Sequence, residues 1–233
     1  MKDNSKDKTT TSFSRPLSPK EFLDLFQLKM GEKEKNELIA EMEQNLVDKQ
    51  IETEDEKRFR EILRSVGREN TEDFLDYLKN VHFFTAPASV NNHGNRKGGL
   101  VNHSLKVYDY AMKFREEMIR EDPSVAEYLS NENIAVAALL HDICLADELK
   151  VKADGTPAHQ LSSANLGGHG YKSVVLIMLH DYKLIGDEVL AIRWHMGSKD
   201  ISDPRDMDEY KRAKNDALVR LIVRADNEAT TSE

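Results

Sequence analysis

Of the 233 residues only Cys144 is a cysteine. A lone thiol closes no disulfide within the chain. The start, MKDNSKDKTTTSFSRP, also has no apolar signal core, and together these point to a reducing cytoplasm. No apolar run is long enough to span a bilayer, so a membrane is not an expected partner. Positive charge is in deficit: 33 Lys and Arg stand against 42 Asp and Glu, a formal net charge of -9. That balance argues against broad electrostatic capture of duplex DNA and leaves room for a local basic pocket. Alternating apolar and polar runs bounded by hairpin turns are missing as well, and the expected class is all-α.

What is present suits helices with solvated outer faces, at 39% hydrophobic and 32% charged residues. Residues 1–15 have almost nothing to bury and read as a disordered tail. A helical extension is expected over 16–80. Ser18-Pro19-Lys20-Glu21 has the form of a helix start, with Phe22, Leu23, Leu25, Phe26 and Leu28 as its apolar face. A second helix, from about Glu32 to Lys49, should bury Leu38, Ile39, Met42 and Leu46. Thr53-Glu54-Asp55-Glu56 looks like the capping box of a third, and a fourth runs near Glu72 to Asn80. None of these helices gathers histidines or paired carboxylates, so they read as a packing layer and the candidate surface for a homo-oligomer.

The second expected region, 81–233, opens on a long loop from His82 to Gly99, rich in Asn, Gly and Pro. Helices follow from about Leu100 to Glu121, Asn133 to Leu145, Gly170 to His180, Asp187 to Met196 and Asp208 to Ala229, with an irregular stretch from Lys150 to Gly168. The segment Asn133 to Leu145, NIAVAALLHDICL, is apolar all round and should be buried. Its His141 and Asp142 are then costly, since a buried carboxylate needs a compensating partner. A metal ion would serve. Adjacent helical residues point about 100° apart, so the two could flank one ion.

Other donors lie on buried stripes. His103 shares a face with Leu100 and Val107, His195 falls with Ala191 and Ile192, and Asp226 sits four residues after Ile222. His169 follows two glycines at a helix start. Each alone is more often a hydrogen-bonded or capping residue; together they make six nitrogen and oxygen donors on five helices. The second His-Asp pair, His180-Asp181, lies at a helix end where it can be solvated. His82, His93 and His159 read as surface residues of loops, with His93, near Arg96 and Lys97, within reach of a substrate. Lys172 and Arg193 each lie within three residues of a proposed ligand and could bind a phosphoryl oxygen.

The order His103, His141-Asp142, His169, His195, Asp226 resembles the HD-domain superfamily of metal-dependent phosphohydrolases. FFTAPAS at 83–89, GGLVNHSLKVY at 98–108, ALLHDIC at 138–144, GHGYKSV at 168–174, AIRWHMG at 191–197 and RADNEAT at 224–230 are similar to a bacterial and phage branch, and to the HD domain of a 3'-to-5' exoribonuclease. The resemblance covers about 81–233 and implies an HD-type helical bundle preceded by a small N-terminal helical layer. It also implies that His103, His141, Asp142 and Asp226 hold one ion, and that Asp142 bridges to a second held by His169 and His195. Ile143-Cys144-Leu145 departs from the small residue and Lys that many HD enzymes carry after the pair.

Two divalent ions about 3.5 to 4 Å apart can hold a bridging hydroxide and polarise a phosphoryl group. Asp142 would set their separation while Lys172 and Arg193 neutralise phosphoryl charge. Four imidazoles and two carboxylates suit Fe, Mn, Co, Ni or Zn better than Mg. The function this implies is hydrolysis of a phosphoester in a nucleotide or a short single-stranded nucleic acid. Two alternatives stand beside it: a mixed-valent di-iron oxygenase of HD type, and a non-catalytic module binding a nucleotide or a protein partner.

Overall fold

The computed structural model describes residues 18–21, 31–48, 51–162, 166–201 and 203–232, and it divides into a unit over 1–47 and a unit over 48–233. The expected tail over 1–15 and the apolar face Phe22 to Leu28 lie outside the described residues. Ser18 caps as its sequence predicts: its amide and hydroxyl both reach the Glu21 carboxylate at 2.9 Å, and the Glu21 amide donates back to Ser18 Oγ at 3.3 Å. Helix α1 is Glu32–Asp48. Its stripe is covered less than the spacing predicts. Leu38, Ile39 and Met42 are half-buried, and Leu46 is exposed.

Among the described residues the larger unit is all-α apart from one small hairpin. It begins with α2 (Glu54–Ser65), where Thr53 Oγ1 accepts the Glu56 amide at 3.1 Å, one half of the expected capping box, while the Glu56 carboxylate binds Arg60 and Lys79 instead. Helix α3 (Thr71–Asn80) follows. Phe59, Leu63, Phe74, Leu75 and Leu78 recur at three- and four-residue spacing, and all five join the same core as the later helices. Next come α4 (Gly99–Glu121), a 3₁₀ turn at Pro123–Glu127, and α5 (Asn131–Leu140), capped by Ser130. Every side chain from Ile134 to Leu140 is buried, which accounts for the absence of any polar face.

Helix α5 stops five residues before the expected end. From Leu140 onward the chain tightens into three-residue bonds, Leu145 N to Asp142 O at 3.0 Å and Asp147 N to Cys144 O at 3.0 Å, before the single turn α6 (Leu145–Glu148). The stretch read as irregular then forms a hairpin, β1 (Leu149–Val151) antiparallel to β2 (Pro157–His159), with Leu149 opposite His159. Its turn uses Asp154-Gly155: Asp154 Oδ1 accepts the Thr156 amide at 2.9 Å and Gly155 has φ 82°.

Helices α7 (His169–Leu179) and α8 (Gly186–Arg193) meet closely. A Cβ on Gly170 would stand 2.2 Å from the Arg193 carbonyl oxygen, so only glycine permits the approach. The single helix expected over Asp208 to Ala229 is two. Asp203 and Pro204 start α9 (Pro204–Ala213), and Asp216 starts α10 (Ala217–Thr231) by accepting the amides of Leu218 and Val219 at 2.9 and 3.1 Å. Helix α4 packs along α10 and α5, and α8 packs against α5, α7 and α10. Among the described residues no helix is long and apolar enough to cross a membrane.

Candidate metal centre

The packing of α4, α5, α8 and α10 brings one polar residue from each to a single point. His103 lies on the inner face of α4, and His141 ends α5 with Asp142 next in the tightened turn. His195 follows α8, and Asp226 is on the buried stripe of α10. All five are buried, with His141 at 0% exposure and Asp142 at 9%. His195 Nε2 is 3.1 Å from Asp142 Oδ1, and His141 Nε2 is 3.3 Å from Asp142 Oδ2. His103 Nε2 is 3.1 Å from Asp226 Oδ1, which also lies 4.0 Å from His141 Nε2.

The tautomers of two rings follow from the backbone. His141 Nδ1 is 2.8 Å from the Ala138 carbonyl oxygen and His195 Nδ1 is 2.8 Å from that of Ile192. A carbonyl only accepts, so each Nδ1 carries the hydrogen. Both Nε2 atoms are buried without a hydrogen-bond partner, although each is close to an Asp142 oxygen. A neutral ring would aim its lone pair at a carboxylate oxygen there, which is repulsive unless a positive centre, a proton or a metal ion, lies between them. Backbone carbonyls that fix imidazoles in this way are the usual outer support of a metal ligand set. The residues therefore fit a divalent cation.

The electrostatics agree. Burial pushes the Asp142 carboxyl up, but His141 and His195 outweigh it and hold the group well below the usual carboxylate range. Burial acts the same way on Asp226, where the hydrogen bond with His103 and the charges of His141 and His195 win and lower it. Burial disfavours the charged form of His195, while Asp142 more than compensates and raises the imidazole to about 9. The cluster is arranged to hold positive charge.

His169 is placed differently from the expectation. It begins α7, is 44% exposed at its side chain, and has Nδ1 at 3.5 Å from Cys144 Sγ and 3.7 Å from Glu148 Oε2. It forms a second group of ligand-type atoms with those two residues, separate from the group of His141, Asp142 and His195. The expected phosphate-binding cations are also engaged elsewhere. Lys172 is 1% exposed, and its ammonium contacts Asp147 at 2.5 Å, Ser162 at 2.6 Å and Glu148 at 3.0 Å. The Arg193 guanidinium lies 4.0 Å from the centroid of the Trp194 ring and 3.8 Å from Asp206 Oδ1. Neither lines the cleft described next.

That cleft, about 380 Å³, opens over His103, Asp142 and Asp226. It is lined by Ser89, Asn91, Asn92 and His93 of one loop, by Lys199, Asn227 and Thr230, and by His159 and His169. The loop is folded onto the start of α4: Ala88 N donates to Gly94 O at 2.9 Å, Leu100 N to Ala86 O at 3.0 Å, and a Cβ on Gly99 would meet Gly94 O at 1.9 Å. This sets the His93 ring 5.0 Å from that of His103. Lys199, which the sequence did not single out, is the one Lys or Arg among the described residues that lines the cleft. It follows His195 by four residues, but a lysine beyond a helix end carries no signal of its own. The second pair, His180-Asp181, lies exposed at the end of α7, with His180 stacked on Tyr77.

A family model described as HD domain matches residues 100–231. No curated protein and no solved structure matches the chain.

Proposed function

This chain belongs to the HD-domain family, a superfamily of metal-dependent phosphohydrolase type, and on that premise we propose that it hydrolyses a phosphoester of a nucleotide or a short single-stranded nucleic acid. The observation that carries the reading is the pair of buried Nε2 atoms of His141 and His195, each against one oxygen of Asp142, the carboxylate that lines an open cleft. His103, His141, Asp142 and Asp226 would hold one divalent ion, with His195 on the other oxygen of Asp142. The side of Asp142 facing His195 is where a dinuclear arrangement would extend. A bound ion supplies an acidified water nucleophile and positive charge for the phosphoryl oxygens.

The chain's own residues do the rest. Ala138 and Ile192 carbonyls hold two imidazoles in the ligating tautomer. Lys199 takes the phosphate-side role that Lys172 and Arg193 are not placed to fill, presenting an ammonium above the acidic floor beside Asn227. Asn91 and Asn92 offer amide donors and acceptors suited to a base or sugar, and His93 stands near enough to the cluster to pass a proton to a leaving oxygen. A cleft of about 380 Å³ with one lysine suits a single nucleotide or a strand end better than a polyphosphate.

The test is metal content per folded chain, then product release from mononucleotides, cyclic dinucleotides and short single strands before and after chelation. Metal-dependent release supports the proposal. Oxygen uptake by iron-loaded protein, with no phosphoester turnover, would replace it with the oxygenase alternative.

A further inference from the structure

Beyond the buried HD cluster, the structure gathers a second set of ligand-type atoms whose chemistry differs from the first. Cys144 Sγ, His169 Nδ1 and a Glu148 carboxylate oxygen all lie within 4.8 Å of one another. Sulfur and nitrogen are 3.5 Å apart, and nitrogen and Glu148 Oε2 are 3.7 Å apart. Bond lengths of about 2.3 Å to sulfur and about 2.0 Å to nitrogen or oxygen place the ligands of a tetrahedral ion about 3.3 to 3.5 Å apart. The sulfur–nitrogen separation matches that spacing, and the nitrogen–oxygen one exceeds it by about 0.4 Å, a shift a carboxylate rotation closes.

Three different elements fix these atoms. Cys144 sits in the tightened turn after α5, where its amide donates to Ser173 Oγ on α7 at 3.3 Å and its side chain is fully buried. Glu148 ends α6, and Lys172 holds one of its oxygens, Oε1, at 3.0 Å, leaving Oε2 toward His169. The lysine thereby orients the carboxylate, as outer-sphere groups do around metal ligands. His169 starts α7 behind Gly168, whose φ of 78° turns the chain into the helix. Glu148 and His169 both line the cleft, so this set is open on one side.

We propose that Cys144, Glu148 and His169 form a separate site for a borderline-soft divalent ion, zinc above all, with its fourth position open to the cleft. One thiolate, one imidazole and one carboxylate suit zinc or cobalt over magnesium or calcium. Three protein ligands with one open position is the pattern of a reactive rather than a purely structural zinc site.

The site is separable from the HD cluster because only it contains sulfur. The probe is Co²⁺ added to metal-stripped full-length protein, read by absorption without any substrate. A sulfur-to-cobalt charge-transfer band should appear in the near ultraviolet. Cys144→Ser should abolish that band and lower bound cobalt by one ion per chain, while His103→Ala, which damages the HD cluster, should leave the band in place. Cobalt binding without the band, or Cys144→Ser with its full cobalt complement, overturns the proposal. If Cys144→Ser loses its helical circular dichroism, the half-exposed His169→Ala decides: it should weaken the band-forming site at least tenfold, and an unchanged titration overturns the assignment. None of these readings depends on phosphoester turnover, so failure here and failure of the hydrolase reading are distinct results.

Discussion

His195 Nε2 stands 3.1 Å from Asp142 Oδ1, while Oδ2 of the same carboxylate faces His141 at 3.3 Å. Each oxygen of Asp142 therefore has its own imidazole, supplied by a different helix. His195→Ala removes one imidazole and leaves His103, His141, Asp142 and Asp226. The expected result is retained helicity by circular dichroism with turnover of the best phosphoester lowered at least about 100-fold, the upper range for perturbing a metal's support. Turnover within a few fold of wild type would remove His195 from the machinery.

Removal of metal should be visible in stability. The cluster joins α4, the turn after α5, the end of α8 and α10, so an ion there binds the folded chain and not the unfolded one. An ion at about a thousand times its dissociation constant contributes about 4 kcal/mol. For a chain of this size that corresponds to a loss of about 10 °C in Tm on chelation, recovered on reloading with Mn or Fe. A melting curve indifferent to chelator and to reloading would mean that the buried cluster holds no ion.

Two lysines near the site should behave oppositely. Lys172→Met leaves Asp147 and Glu148 without their shared ammonium and should cost about 2 to 3 kcal/mol, the range for hydrogen bonds to charged groups. Lys199→Ala should leave the melting temperature within about a degree, since exposed side chains change stability little. It should raise KM for a phosphoester about tenfold, equivalent to about 1.4 kcal/mol of lost phosphate contact. Denaturation curves and steady-state kinetics on the two variants check both halves. A KM unchanged by Lys199→Ala would leave the cleft's cation without a role in binding.

The all-α class and the convergence of His103, His141, Asp142, His195 and Asp226 were legible because burial of polar residues on apolar stripes is written in helical periodicity. Local stops were less so. Asp216 caps α10 and Asp154-Gly155 closes the hairpin, both with ordinary turn chemistry; the apolar spacing from Asp208 to Ala229 hid the first, and the three-residue strands flanking the second were too short to show an alternating pattern. The partners of Lys172 could not be read at all. Asp147 and Glu148 lie 25 and 24 residues away, and only the return of the chain through the hairpin sets them against α7. The same holds for His169, which the resemblance gives to a second ion beside Asp142 while the fold sets it against Cys144 and Glu148.

The geometry of α8 depends on a pair far from the cleft. Arg68, between α2 and α3, reaches across 120 residues to Glu188, with its Nη1 at 2.7 Å from Oε2 and its Nη2 on Oε1, and it also donates to the Lys183 carbonyl. Glu188 is 0% exposed and accepts the Ile185 amide at 3.0 Å, so the pair fixes the first turn of the helix that leads to His195. Burial raises the Glu188 carboxyl even beside Arg68. Arg68→Met alone should destabilise by about 3 to 5 kcal/mol, because a buried charge is left unpaired. Adding Glu188→Met should restore most of that loss, since two apolar side chains can replace a buried pair at little cost. Urea denaturation of the two variants measures the difference. If the double variant is no more stable than the single one, the pair is needed for the direction of α8 rather than for charge balance, and metal content per chain should then fall in both.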